Sequence, residues 1–125
     1  MVTGRRATAR LADDDDAMLD DLQRKAFRFF DRYTNRKTGL VLDSNQPGQP
    51  VSIAAVGFAL SCYPVAVERG WMLYHEALAL TLAALRYFDE ADQSGAKAGV
   101  GYKGFFYHFL KADHGTRAWN CELST

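Results

Sequence analysis

The sequence predicts a mainly α-helical chain of about three helices, arranged as part of an (α/α) toroid, with one β-hairpin before a truncated fourth helix. Apolar residues recur at helical spacing over residues 17–35, 53–69 and 74–91. The middle segment is apolar on nearly all sides, whereas the other two carry a polar face. This order of outer, inner and outer helix is the one expected of nested helix hairpins.

The first helix is predicted over Ala17–Asn35, with one buried stripe and one solvated face. The acidic run Asp13–Asp16 suits a helix start, because negative side chains stabilise the positive end of the helix dipole. Gly39 suits a left-handed residue in the following turn. Residues 1–15 are expected to form a disordered arm. The apolar stripe consists of Leu19, Leu22, Ala26, Phe29, Phe30 and Tyr33.

The second helix is predicted over Ile53–Arg69, with Ser52 as its N-cap. A helix that is apolar all round is normally enclosed by other elements, so this one is the inner helix. The third helix is predicted over Tyr74–Ala91 and is amphipathic, which makes it an outer helix. Its stripe consists of Ala77, Leu78, Thr81, Leu82, Leu85 and Phe88.

The connection Leu40–Val51 is rich in turn residues, among them Pro47, Gly48 and Pro50. This composition predicts a loop without regular structure. Asp43 within it has the ordinary interpretation of a turn aspartate that bonds its own backbone.

The stretch Tyr102–Glu122 is predicted to be a β-hairpin that carries aromatic side chains. Apolar residues occur at both odd- and even-numbered positions. Because the side chains of a strand point alternately to its two faces, a strand here has two apolar faces. The segment Asp113–Thr116 supplies the turn, and Arg117–Asn120 returns as a short strand. Residues 120–125 would then open a fourth helix that is cut off after one turn. The aromatic residues are Tyr102, Phe105, Phe106, Tyr107, Phe109 and Trp119.

Two interpretations of this aromatic hairpin remain open. Aromatic rings beside an isolated carboxylate suit a carbohydrate site, because sugar C–H faces lie well on aromatic planes and glycosidic cleavage needs carboxyl groups. The other interpretation is a hydrophobic plug in the core.

The overall charge gives no support to a nucleic-acid or anionic-membrane partner. Fifteen Lys and Arg balance fifteen Asp and Glu, so the formal net charge is zero. The first residues are basic but lack an apolar signal-peptide core, and no stretch is apolar enough to span a membrane. As written, the sequence therefore suggests a cytoplasmic protein, although relatives could be exported.

No cofactor or metal is expected from the pattern of ligating residues. Cys62 and Cys121 do not make a disulfide framework or a zinc motif, and both are interpreted as free thiols. His75, His108 and His114 also lack the spacing of metal ligands.

Four blocks of the chain resemble the glycoamylase-like family of bacterial carbohydrate enzymes. They are Leu22–Asp43, Ser52–Trp71, Gly99–Leu110 and Arg117–Thr125, in the family's order. That family includes endo-β-1,2-glucanases and the related domain of cyclic β-1,2-glucan synthases. The resemblance implies that residues 16–125 are the N-terminal part of an (α/α)6 toroid, whose remaining helices are missing here.

The resemblance also implies where the site lies, at the N-terminal ends of inner helices. The loops Leu40–Val51 and Tyr102–Asn120 are then expected at the same rim. Glu122 is the predicted catalytic carboxylate, although a first-turn glutamate also favours a helix dipole. The predicted substrate-binding residues are Asp43, Phe106, Tyr107, Trp119 and Asn120.

The implied function is hydrolysis or transfer of glycosides on β-linked glucan, by an N-terminal fragment that is inactive alone. Its partner would be an oligo- or polysaccharide. Two alternatives are a non-catalytic carbohydrate-binding remnant and a helical protein-interaction module. The inner helix would lack its usual neighbours, so self-association through this apolar surface is also expected.

Overall fold

The computed structural model describes residues 13–124 and confirms the mainly α-helical class. Within this range three helices are present, and short strands rather than a closed sheet accompany them. The helices are α1 (Asp13–Tyr33), α2 (Ile53–Glu68) and α3 (Tyr74–Asp89). The strands are β1 (Val51–Ser52), β2 (Gly101–Tyr102), β3 (Phe105–Phe106) and β4 (Phe109–Leu110).

Helix α1 begins earlier than predicted, because the acidic run forms its first turn. Asp13–Asp15 are helical, which corrects the predicted disordered arm at that end, while residues 1–12 of the arm lie outside the described residues. The buried residue of this helix is Phe27, which the predicted stripe omits, whereas Phe29, Phe30 and Tyr33 of the stripe are half-buried. Leu19 and Leu22 are exposed. The expectation that the N-terminal half of the stripe is buried was therefore wrong for the described residues.

Helix α2 is the central element, as predicted. The Ser52 hydroxyl caps it by accepting from the Ala55 amide at 3.4 Å. One face is buried against α1, α3 and the strands. Tyr63 lies at the centre of this face, and its hydroxyl is 3.3 Å from that of Thr34. The opposite face is open in the described structure, where the Phe58 side chain is 65% exposed.

Helix α3 packs against α2 and against the turn that follows α1. Gly39 in this turn has a φ of +69°, and a Cβ atom on it would lie 2.5 Å from the Ala84 backbone nitrogen. The predicted left-handed glycine is therefore confirmed. It has a second role, because only a residue without a side chain lets the turn approach α3 this closely.

The strands form an irregular antiparallel ribbon at the N-terminal end of α2. Strand β1 pairs with β4 through Val51 and Leu110, and β2 pairs with β3. Isolated bridges extend the pairing to Leu42, which lies opposite Val51, and to Arg117, which lies opposite Leu110. The loop Leu40–Val51 was thus wrongly expected to be irregular at both its ends.

The predicted hairpin turn is confirmed, but the predicted return strand Arg117–Asn120 is wrong: Arg117 forms an isolated bridge with Leu110, and Trp119 and Asn120 lie in a turn. The Lys111 amide donates to the Thr116 carbonyl at 2.7 Å, and Gly115 has a φ of +67°. A second, tighter turn between β2 and β3 was not predicted, and it uses positive φ at Lys103 and Gly104.

The predicted fourth helix does not begin at Asn120. Residues 121–124 are not helical, and the bridge between Tyr107 and Leu123 joins them to the ribbon. The Ser124 amide donates to the Phe106 carbonyl at 2.8 Å. One turn of helix is unfavourable by itself, whereas the ribbon edge offers backbone partners at once.

No helix between residues 13 and 124 combines the length and the apolar character that crossing a membrane requires.

Candidate functional site

The loop before α2 and the aromatic ribbon lie side by side, as the sequence suggests. The Asp43 amide donates to the Pro50 carbonyl at 2.9 Å, which closes the loop. The Ile53 amide then donates to the His108 carbonyl at 3.2 Å, where α2 starts. The start of the inner helix and the middle of the ribbon therefore meet at His108.

A cleft of about 360 Å³ opens between the loop and the hairpin turn. We call it the Trp119 cleft. One wall comes from the loop before α2 and the other from the hairpin turn and the residues that follow it. Its lining residues are Gly48, Gln49, Pro50, Lys111, Ala112, Asp113, Ala118 and Trp119.

Trp119 combines exposure with a strained backbone. Its side chain is 67% exposed, and its φ of +51° lies in the left-handed region. That region is rare for a bulky residue, and such a conformation costs about 1–3 kcal/mol. Strain of this kind persists where the surrounding structure enforces it and is concentrated at functional sites.

Neighbouring groups hold Trp119 in this conformation. The Ala118 amide donates to the Phe109 carbonyl at 3.0 Å, and the Trp119 ring rests edge-to-face on the Phe109 ring with centroids 5.6 Å apart. The Arg117 guanidinium donates through Nε to the Cys121 carbonyl at 2.7 Å, which fixes the chain beyond the tryptophan. These contacts therefore hold the indole in place while most of it stays exposed.

Tyr107 belongs to the hydrophobic core. Its side chain is 5% exposed, and the Arg117 guanidinium lies 4.1 Å from its ring centroid. Its hydroxyl donates to the Gly95 carbonyl at 3.4 Å. The Tyr107 ring, which was predicted to bind substrate, is therefore enclosed by protein.

Phe106 lies on another side of the ribbon. Its ring packs against Phe88 of α3 with centroids 4.6 Å apart, and both line a separate surface depression. Asn120 is exposed and directly follows Trp119. Of the predicted substrate-binding residues, Trp119 lines the cleft and Asn120 adjoins it, whereas Phe106 and Tyr107 point elsewhere.

Glu122 presents its carboxylate to solvent beside the start of α2. Its side chain is 82% exposed, and Oε1 lies 3.9 Å from Nε2 of His108. The His108 amide donates to the Glu122 carbonyl at 3.1 Å. An exposed carboxylate next to an imidazole can accept hydrogen bonds from a ligand or exchange a proton with it.

Asp43 and Glu122 are attached to different residues around the start of α2. Asp43 is exposed and its amide donates to the Pro50 carbonyl, whereas the Glu122 carbonyl accepts from the amide of His108, which in turn accepts from the Ile53 amide through its own carbonyl. Both predicted site residues are therefore exposed and lie on segments that meet at the N-terminal end of α2.

The polar residues of the cleft were not among the predicted site residues; they are Gln49, Lys111 and Asp113. The two loops that carry them are brought together by the pairing of β1 with β4. The turn residues in each segment predicted that it is a loop. Nothing in either segment indicates that the two loops lie next to each other in the fold. Among residues 13–124, no cluster of three or more His, Cys, Asp or Glu side chains is arranged to hold a metal ion.

Comparison with known proteins supports the fold. Protein-family models and curated protein sequences give no match. Among solved structures, the chain is similar to the crystal structure of a "putative glucoamylase" from Bacteroides uniformis ATCC 8492, with a TM-score of 0.70. The match covers 90% of this chain at 20% sequence identity, and the chain spans 26% of the length of that protein. The likeness shows that the chain folds like a part of that larger protein.

Proposed function

We propose that this chain forms a glycan-binding wall of a carbohydrate-active protein whose substrate is β-linked glucan. Trp119 carries the proposal, because an exposed indole on a strained, rigid backbone lines a cleft with polar groups at its edges. The likeness in fold to a protein described as a glucoamylase supports a carbohydrate ligand.

The cleft offers the two kinds of contact that a neutral sugar needs. The C–H face of a pyranose can lie on the exposed indole, where apolar area is removed from water. Gln49, Lys111 and Asp113 provide both donors and acceptors for hydroxyl groups around that ring. Ligand sites typically combine apolar contact with a few well-placed polar groups in this way.

Glu122 is the proposed catalytic carboxylate of the larger assembly. Glycoside cleavage by the usual mechanism needs two carboxyl groups, about 5–9.5 Å apart, which serve as acid and base or nucleophile. Because the chain spans 26% of the length of the similar protein, we assign the second carboxyl group to a segment outside the described residues. Hydrolysis or transglycosylation by residues 13–124 alone is therefore not expected.

Calorimetric titration with glucan oligosaccharides tests the proposal. Oligosaccharides with β-1,2 linkages are expected to bind. The affinity for α-1,4-linked oligosaccharides of the same length, measured in parallel, shows whether the cleft discriminates between the two linkages. Trp119→Ala is expected to weaken binding at least tenfold. Tyr74→Ala, which removes another exposed ring at the start of α3, is the matched control and should bind as the native chain does. Equal binding by both variants, or no binding of either linkage, would refute the proposal.

A second candidate function, self-association, is supported by the open face of α2. Phe58 and Val65 are 65% and 46% exposed, and a Cβ added at the neighbouring Gly57 would meet no atom outside the local helix backbone within 4 Å. An apolar face of this kind usually marks an interaction site. We propose a second copy of the chain as its occupant. Light scattering should then show a dimer that Phe58→Glu converts to a monomer, and a native monomer at all concentrations would exclude it.

A further inference from the structure

A second cavity adjoins the Trp119 cleft at the C-terminal end of α1. We call it the Tyr33 cavity, and its volume is about 230 Å³. Helix α1 and the turn after it form one side, and the paired segment around Leu42 and Val51 forms the other. Its lining residues are Arg32, Tyr33, Thr34, Asn35, Leu40, Leu42, Val51 and Ala112.

The two cavities have one lining residue in common, Ala112. Pro50 lines the cleft, and the next residue along the chain, Val51, lines the Tyr33 cavity. The side chain at the shared position, which we call the ridge, is a single methyl group in an exposed turn.

The Tyr33 cavity repeats the chemistry of the cleft. The Tyr33 ring is half-buried, packs against Phe29 with centroids 5.1 Å apart and has the Arg32 guanidinium 5.7 Å from its centroid. Asn35 contributes a side-chain amide at the rim, and its Oδ1 accepts from the Lys37 amide at 2.9 Å, which fixes its orientation. An aromatic ring with hydrogen-bonding groups therefore lines each of the two cavities.

We infer that the Trp119 cleft and the Tyr33 cavity form one groove, so that the ligand is an oligosaccharide long enough to contact Trp119 at one end and Tyr33 at the other. A single sugar ring fills one cavity, whereas a chain can cross Ala112 and fill both. The charged residues that line the two cavities are Arg32, Lys111 and Asp113, and this mixture of signs suits a neutral or weakly charged chain. This inference rests on the proposed glycan-binding function and extends it by a second subsite.

The dependence of affinity on ligand length tests the inference. The native chain is titrated by calorimetry with a disaccharide, a tetrasaccharide and a hexasaccharide of the β-1,2-linked series. Affinity is expected to rise with length until the groove is filled. Trp119→Ala should weaken binding at every length. Tyr33→Ala should leave the disaccharide unaffected and weaken the hexasaccharide about tenfold, the loss expected for one well-placed aromatic contact.

Two further variants separate the groove from a general loss of structure. Ala112→Phe adds a ring at the ridge in an exposed turn, so it should lower the affinity for the hexasaccharide and leave that for the disaccharide unchanged. Tyr33→Phe keeps the ring and should bind the hexasaccharide like the native chain. Near-ultraviolet circular dichroism checks the fold of each variant.

The outcomes distinguish this inference from the function on which it rests. If the disaccharide binds through Trp119 but affinity does not rise with length, the groove is refuted and the proposed function stands. The groove would also be refuted if affinity rose with oligosaccharide length in both Tyr33→Ala and Ala112→Phe as steeply as it does in the native chain. Failure of every saccharide to bind would refute both proposals.

Discussion

Nε2 of His108 lies 3.9 Å from Oε1 of Glu122, and the His108 amide donates to the Glu122 carbonyl. The carbonyl of the same histidine accepts from the Ile53 amide, at the first residue of α2. Glu122 is therefore attached next to the N-terminal end of the inner helix, although no fourth helix begins at that point in the described structure.

The first prediction concerns the chemistry of Glu122. In a full-length relative that carries glutamate at the equivalent position, changing it to glutamine should abolish turnover and leave glucan affinity within tenfold. The amide keeps the shape of the carboxylate but cannot exchange a proton or act as a nucleophile. Release of reducing sugar and calorimetric binding measure the two effects. Unchanged turnover would remove this residue from the reaction.

The second prediction concerns the strain at Trp119. Trp119→Gly and Trp119→Ala both remove the indole, so both should lose glucan binding to the same extent. Glycine adopts a positive φ freely and alanine does not, so the glycine variant should be more stable by about 1 kcal/mol. Urea denaturation measures the difference. An alanine variant as stable as the glycine variant would show that the left-handed backbone is not strained.

The third prediction concerns the contact between Gly39 and α3. Gly39→Ala introduces a Cβ 2.5 Å from the Ala84 backbone nitrogen at a φ of +69°, so it should lower the free energy of unfolding by about 3 kcal/mol. Gly70→Ala is the matched control, since its φ is +70° with no atom near the added carbon. This control should lose about 1 kcal/mol. Equal losses would mean that the turn does not pack closely on α3.

The fourth prediction concerns alkaline pH. Burial raises the pKa of the Tyr63 and Tyr87 hydroxyls above their ordinary value of about 10. The unfolded chain loses these protons first as the pH rises, so the stabilisation present below pH 10 is lost as the pH passes through the raised values. Urea denaturation from pH 8 to 11 should show this decline. Tyr63→Phe should make it shallower, and an identical decline would exclude Tyr63 as a contributor.

The helices could be predicted from sequence because their signals are local. Ser52 as N-cap and the apolar periodicity after it gave the start of α2 correctly and its end within one residue. The acidic run Asp13–Asp16 was understood as a helix-start signal, but its own inclusion in α1 was missed. Its negative side chains stabilise the helix dipole equally well from within the first turn.

The site was harder to predict because its walls depend on pairing between distant segments. Val51 pairs with Leu110 across a long stretch of chain, and this pairing places Lys111 and Asp113 opposite the loop before α2. The alternation of apolar residues in the ribbon showed that it has two apolar faces. It did not show that Tyr107 faces the core while Trp119 faces the cleft.

Emission from Trp119 during titration with glucan is the most direct test of a glycan-binding cleft. The chain contains two tryptophans, and Trp71→Phe leaves Trp119 as the single reporter. An indole that is 67% exposed should shift its emission to shorter wavelength and become shielded from iodide as a sugar covers it, with the same midpoint as the calorimetric titration. Emission and quenching that stay constant at saturating glucan would contradict a sugar on Trp119, and with it the proposed function.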